Sequence, residues 1–410
     1  MICSNYLFRN GLAPSQMNQL NINKGKRPLK IAMVIDSWDY PYNGTVVSTQ
    51  RFVTALADEF DFRILATLKP NSNHDDRFVH FTRLRLPGAN DLMESMNTPL
   101  AIPNKKKILE ALAGCDLLHI QYPFFLASAT IDCARKLNIP IICSFHVQPE
   151  NLLRNIKLEH EWSIKWLYSL FLRKLYNQAD LVISPSDFAA KLLLQYGLEK
   201  PVVTISNGIP DHFFDIQRNS KPLDQFHILS VGRLAAEKKQ HLIIEAIQRS
   251  NFKKNISLTL AGTGPQQKKL ERLATRLGIK ASIGKVSQQR LESLYASTDL
   301  FVHASEVELE GMAVMEAMAS ACCVIISDAR SSALGESIDD KNTHFRSGDA
   351  VDLANKIDFW LANRTQLSTQ GKVNREKISE KAHFNSAMRL AAIYRQTYAD
   401  ANPQISLTHG

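Results

Sequence analysis

The chain has 410 residues, 45% of them hydrophobic and 22% charged, a soluble composition too long for one core, so two domains are expected. The formal charge is +9, but five basic residues and no acid fall within the first 30 positions, leaving +4 for the rest. No basic face interleaved with aromatics stands out, which argues against nucleic acid, and no run of about 18 apolar residues exists to span a membrane.

Residues 1–28 read as a disordered basic leader, either simply solvated or held near an anionic membrane surface. Its start, MICSNYLFRNGLAPSQ, lacks the basic and apolar regions of a signal peptide. Six cysteines include no C-x-x-C pair, so reduced thiols in a cytoplasmic protein are expected, with association to the inner face of the cytoplasmic membrane as a further option. Lys30 to Asp36 is a buried-strand run leading through SWDYPYNGTVVST into an amphipathic helix over Gln50 to Ala57. This is the opening of a Rossmann-like unit, without the G-x-G-x-x-G of dinucleotide folds. Gly44 sits in its turn.

Further βα units follow at Phe62–Thr67, Leu117–Gln121, Ile139–Phe145 and Leu181–Ser184. The third ends in His146-Val-Gln-Pro-Glu-Asn151, and polar residues at the carboxyl end of a parallel strand are where such folds bind ligands. His146 is either a ligand contact or a core-edge histidine bonded to backbone; His119 reads as structural. Tyr122 to Leu126 (YPFFL), with Phe124 and Phe125, suits an apolar acceptor entrance. The stretch Leu152 to Tyr176 mixes aromatic and basic residues, but at about 100° per residue Arg154 and Lys165 share a face while Lys157 and Arg173 lie nearly opposite. A helix packed on the domain is preferred there over a membrane-surface helix.

Asp215 to Gln225 is a polar, proline-containing linker. A second set of strand–turn–helix units begins at Phe226 to Val231 and continues through GRLAAEKKQHLIIEAI. Arg233 and Lys238 lie between strand and helix, where positive charge opposes the helix dipole unless an anion is bound. Gly262 and Gly264 end the next strand. Glu308 and Glu316 then read E-x(7)-E around Gly311, which allows close backbone approach, and a helix from Met312. The amides of Met312, Ala313 and Val314 favour an anion at that helix start, and Glu316, about one turn in, can reach two neighbouring sugar hydroxyls. The alternative is a capped helix with solvated acids.

E-x(7)-E, V-G-R-L-x-x-E-K and S-N-G-I-P resemble the retaining glycosyltransferases of family four, with the GT-B fold. P-x-N-G-x-V-x-S and H-x-Q-P-E-N are similar to the diacylglycerol glucosyltransferases among them. The resemblance, over about Lys30 to Tyr398, implies an α/β architecture of two Rossmann-like domains facing a cleft: 29–215 with a returning helix at 384–400 on the acceptor side, and 226–382 on the donor side. It implies a UDP-sugar donor, glucose or galactose, and a lipid or glycan acceptor, diacylglycerol first. By the same resemblance His146 and Glu308 contact the donor sugar, Glu316 the ribose, and Arg233, Lys238 and the Gly311–Val314 amides the diphosphate. Gly44, Gly232, Gly262, Gly284 and Val286 line the donor, and Gln148 and Glu150 join the acceptor wall. No cofactor or metal is implied, since the chain contains no D-x-D. The chain departs from the family at Glu310, where an aromatic is common, and at Ala321, where glycine is usual. A nucleotide-sugar-binding protein without turnover is the reading from another class.

Overall fold

The structure, a computed structural model, describes residues 27–39, 43–68, 75–85, 99–155, 158–219, 224–338 and 340–403. The leader up to residue 26 lies outside the described residues. Short apolar runs fold into parallel strands covered on both faces. The first sheet contains β1 (Leu29–Val34), β2 (Phe60–Ala66), β3 (Phe78–His80), β4 (Leu117–Ile120), β5 (Ile141–Ser144), β6 (Leu181–Ser184) and β7 (Val202–Thr204). Their spatial order is β3-β2-β1-β4-β5-β6-β7, and Val34 pairs in register with Ile120. The chain order reverses beside β1, which opens a crevice at the carboxyl ends of β1 and β4.

Among the described residues six helices alternate with these strands: α1 (Gly44–Ala55), α2 (Lys105–Leu112), α3 (Phe125–Lys136), α4 (Pro149–Asn155), α5 (Glu161–Lys174) and α6 (Asp187–Gln195). Ile108, Leu126, Phe171 and Ala189 seat α2, α3, α5 and α6 on one face of the sheet. On the other face Val46 and Val53 of α1 join the core. The first helix starts at Gly44, six residues before the expected Gln50, because the Asn43 side chain accepts the Thr45 amide at 3.1 Å and caps the earlier turn. Residues 152–176 form two helices with residues 156–157 between them outside the described residues.

The second sheet is built from β8 (Phe226–Val231), β9 (Ile256–Ala261), β10 (Ala281–Gly284), β11 (Leu300–His303), β13 (Cys323–Ser327) and β15 (His344–Phe345), in the order β10-β9-β8-β11-β13-β15. A separate two-stranded pair joins β12 (Val307–Glu308) to β14 (Ser331–Ser332). Its helices are α7 (Gln240–Arg249), α8 (Gln267–Arg276), α9 (Gln288–Ser297), α10 (Met312–Ala319), α11 (Ala350–Ala362) and α12 (Arg364–Ile378). Ala321, just after α10, has φ 53°, a conformation glycine adopts more readily. The first part of the polar linker is not loose: Arg218 donates to the carbonyls of Tyr295 and Thr298.

The last helix, α13 (His383–Ala401), returns to the first sheet. Ala387, Leu390 and Tyr394 enter the core beside α1, and Arg395 pairs with Glu59. Tyr394 Oη lies 2.7 Å from His119 Nδ1, while His119 Nε2 lies 2.8 Å from Ser144 Oγ. His119 therefore holds the returning helix to the sheet, and burial pushes its pKa down to about 3. Among the described residues Cys115, Cys133, Cys143, Cys322 and Cys323 are buried and none forms a disulfide.

Candidate active site

The carboxyl ends of β8, β9 and β10 are joined by their glycines. The Gly232 amide donates to Ala261 O at 3.0 Å, and the Gly262 amide to Gly284 O at 2.8 Å. A Cβ on Gly262 would sit 1.9 Å from the Gly232 carbonyl, so only glycine allows these backbones to close up. Gly232, Gly262 and Gly284 thus form one ledge across neighbouring strands, and Val286 follows it half-buried.

Both cations beside that ledge carry carboxylate partners. Arg233 donates to Glu237 Oε1 at 2.6 Å, and Glu237 is almost wholly buried. Lys238 donates to Glu308 Oε1, which also lies 2.6 Å from His303 Nε2. Burial alone would raise the Glu308 carboxyl, but Lys238 and His303 outweigh it and hold it well below the usual carboxylate range. Glu237 and Glu308 balance the two cations, because a half-buried cation without a counter-charge is costly.

Gly311 makes the turn that follows. Its φ is 79°, and a Cβ there would lie 2.1 Å from Leu334 Cδ2. The Val314 amide bonds back to Gly311 O at 2.9 Å, so it is not among the open donors of the helix start. Met312 and Ala313 keep amides without a partner among the described residues, as the first turn of a helix requires. One turn on, Glu316 Oε2 accepts from Tyr295 Oη at 3.1 Å. Burial pushes Glu316 up to about 7, opposed by the guanidinium of Arg51 on α1 of the other half and by the tyrosine hydroxyl.

Glu310 is held by the first half. Its carboxylate accepts the Asn207 side-chain amide at 2.6 Å and the Asn207 backbone amide at 3.1 Å. Other bonds also cross between the halves: Ser186 Oγ donates to Leu309 O at 2.5 Å, and Arg154 Nη1 to Glu306 Oε2 at 2.9 Å. The 306–316 segment is therefore pinned to the first half at several points.

On the opposing wall, His146 follows β5 and borders a cavity of about 20 Å³, shared with Ser48, Thr49, Gln121 and Asn207. That space fits a single water. Burial lowers His146 to about 4, so the ring is neutral near pH 7. Gly44 is the first residue of α1, with nothing within 4 Å of a Cβ built on it. Glu150 does not face an acceptor: it accepts from Tyr168 Oη at 3.0 Å inside the first core. Gln148 is buried and reaches Ser331 O at 3.4 Å. The YPFFL stretch splits, for Tyr122 is buried, Phe124 half-buried at 5.6 Å from the Tyr122 ring, and Phe125 exposed. Tyr122 is buried beside the side chains of Ser37, Thr45 and Asn43. Asp36 Oδ2 is buried with no hydrogen-bond partner among the described residues, and burial pushes Asp36 up to about 7.

Sequence reasoning missed Asp36, Arg51, Glu237, Tyr295 and His303. Asp36 left a trace, as a carboxylate closing an apolar strand, and so did Glu237, as the glutamate of V-G-R-L-x-x-E-K. The others become visible through contacts made across 4 to about 20 positions of chain or across the two halves.

Two family profiles divide the chain between them: "Glycosyltransferase Family 4" matches residues 42–213 and "Glycosyl transferases group 1" residues 211–382. The sulfoquinovosyl transferase SQD2 of Arabidopsis thaliana is 25% identical, over 88% of this chain and 72% of its own length. The alpha-monoglucosyldiacylglycerol synthase of Streptococcus pneumoniae is 28% identical, over 70% of this chain and 66% of its own. Among solved structures, Anabaena HepE in complex with UDP and glucose superposes with a TM-score of 0.69 at 18% identity, over 90% of this chain and 100% of that one.

Proposed function

The chain belongs to the family-four glycosyltransferases of the GT-B fold, and on that premise we propose that it moves a hexose, glucose or galactose, from a UDP-sugar to a lipid acceptor, diacylglycerol first. The observation that carries the reading is the junction of Lys238 with Glu308, three residues before the Gly311 turn and its open Met312 and Ala313 amides. As the glycosidic bond breaks, the leaving diphosphate gains negative charge. Lys238 and Arg233 together with the helix-start amides stabilise that charge more than the ground state.

Glu308, freed from Lys238 when the diphosphate takes that cation, accepts hydroxyls of the donor sugar. Glu316, already oriented by Tyr295, holds the ribose. Neutral His146 donates one ring N–H to the sugar from the opposing wall. Retention of configuration follows from family membership, with a diphosphate oxygen taking the acceptor proton on the same face, so the reaction needs neither a protein base nor a metal. HepE, with UDP and glucose in its structure, supports the donor class, and the monoglucosyldiacylglycerol synthase supports the acceptor.

The test incubates the purified chain with labelled UDP-glucose, UDP-galactose or a guanosine-diphosphate sugar, and either dispersed diacylglycerol or soluble sugars. An α-glycosyl lipid formed from a UDP-sugar in EDTA is the expected product. Transfer only to a soluble glycan overturns the acceptor, transfer only from the guanosine donor overturns the donor, and loss of activity in EDTA restored by magnesium overturns metal independence. UDP binding without transfer to any acceptor favours a binding protein instead.

A further inference from the structure

Glu308 is gripped by only one of its two oxygens. Lys238 Nζ and His303 Nε2 both meet Oε1, the histidine at 2.6 Å, while Oε2 has no hydrogen-bond partner among the described residues. The Glu308 side chain stays 13% exposed, so the unshared oxygen is not sealed in the core. The backbone beneath is fixed as well, because Glu308 closes β12 and pairs in register with Ser332 of β14. The two donors on Oε1 differ in kind. Lys238 carries its charge on a flexible four-carbon stem, free to turn toward an anion. His303 is the last residue of β11, buried, with its ring 11° from parallel to that of Phe301 and its backbone paired with Ile326 of β13. A close-packed ring of this kind does not follow a moving partner. Since a carboxylate only accepts, the proton between the two sits on Nε2.

We propose that His303 is a positioning residue for the donor sugar: it keeps Oε1 of Glu308 in place once Lys238 has turned to the diphosphate, so that Oε2 is presented to a sugar hydroxyl. The proposal rests on the nucleotide-sugar reading above and deepens its sugar end. A hydrogen bond from a hydroxyl to a carboxylate is strong, but only while the two stay aligned. Without His303, Glu308 has Lys238 as its one partner on Oε1. The carboxylate then either swings after that cation or holds it back, and in both cases Oε2 loses its aim. The contacts of the nucleotide itself, Glu316 and the open amides of Met312 and Ala313, lie on α10 and do not depend on His303. His303 acts through Glu308 and touches no part of the donor.

The experiment measures the binding of UDP and of UDP-glucose to the full chain by calorimetry, for the wild type, His303→Asn and His303→Gln. Both variants carry a side-chain amide, but the glutamine nitrogen lies at the depth of Nε2 and the asparagine nitrogen only at that of Nδ1. His303→Asn is expected to weaken UDP-glucose about tenfold while UDP stays within a factor of about three, and His303→Gln to recover most of the loss. UDP binding, which needs a folded donor half, is the control for folding. An unchanged ratio of the two affinities in His303→Asn overturns the proposal. So does equal loss of UDP and UDP-glucose, or a glutamine variant no better than asparagine. If sugar moves only from a guanosine donor, GDP and GDP-mannose replace the uridine pair. If the ratio shifts as expected but no acceptor receives sugar, the function falls and the role of His303 stands; if transfer proceeds and the ratio is unmoved, only His303 falls.

Discussion

The two walls of the cleft differ in how their polar groups are settled. In the donor half Arg233 has Glu237, Lys238 has Glu308 and His303, and Glu316 has Tyr295. In the first half Asp36 Oδ2 and Gln148 Oε1 are buried with no hydrogen-bond partner among the described residues. Groups already oriented need little reorganisation when a donor arrives. Buried polar atoms left single cost about 1–3 kcal/mol each, a cost removed when a ligand hydroxyl or water reaches them. On the proposed function the donor wall is thus pre-set, and the acceptor wall is completed by what binds.

The sharpest way to break that contrast is the pH dependence of Asp36. Burial raises its folded-state pKa to about 7, above the ordinary value of 3.8. The folded chain therefore binds a proton that the unfolded chain has released, so stability is full below the unfolded value and is lost as pH rises through the folded one. Asp36→Asn should flatten this loss, by on the order of 4 kcal/mol between pH 4 and 7. Parallel urea-unfolding curves for both proteins across that window would refute a buried acid with a raised pKa there.

On the donor wall, Lys238→Ala removes a phosphate cation and leaves Glu308 without its counter-charge. Sugar transfer should fall about a hundredfold in kcat/KM, roughly 3 kcal/mol. A loss confined to the acceptor KM would move Lys238 out of the donor site. Gly311→Ala should lower stability by about 2 kcal/mol, since the left-handed turn and Leu334 both resist a Cβ. An unchanged denaturation midpoint contradicts this. Smallest of all, Tyr394→Phe removes one hydrogen bond to His119 and should cost about 1 kcal/mol while leaving donor KM alone. A shifted donor KM would tie the returning helix to the donor site.

Much of the architecture was legible because buried parallel strands announce themselves as short apolar runs bounded by glycine or polar turns. KIAMVID and the run from Phe226 to Val231 lie within a residue or two of β1 and β8. The edge strands β3 and β15, three and two residues long, were invisible because so short a stretch has no period to read. The start of α1 was misplaced since a cap depends on one side chain, Asn43, bending back to one amide.

What the sequence determined by itself is local: the alternation of strand and helix, the glycines at the strand ends, and the spacing of Glu308 and Glu316 about Gly311. Each depends on chain neighbours, and neighbours are written in order. Only the tertiary structure decided that Glu237 neutralises Arg233, that Glu310 turns to Asn207, that Glu150 is taken by Tyr168, and that Trp162 and Trp166 remain outside. Those outcomes depend on which surfaces meet, and burial and pairing of charge are properties of the meeting, not of either segment alone.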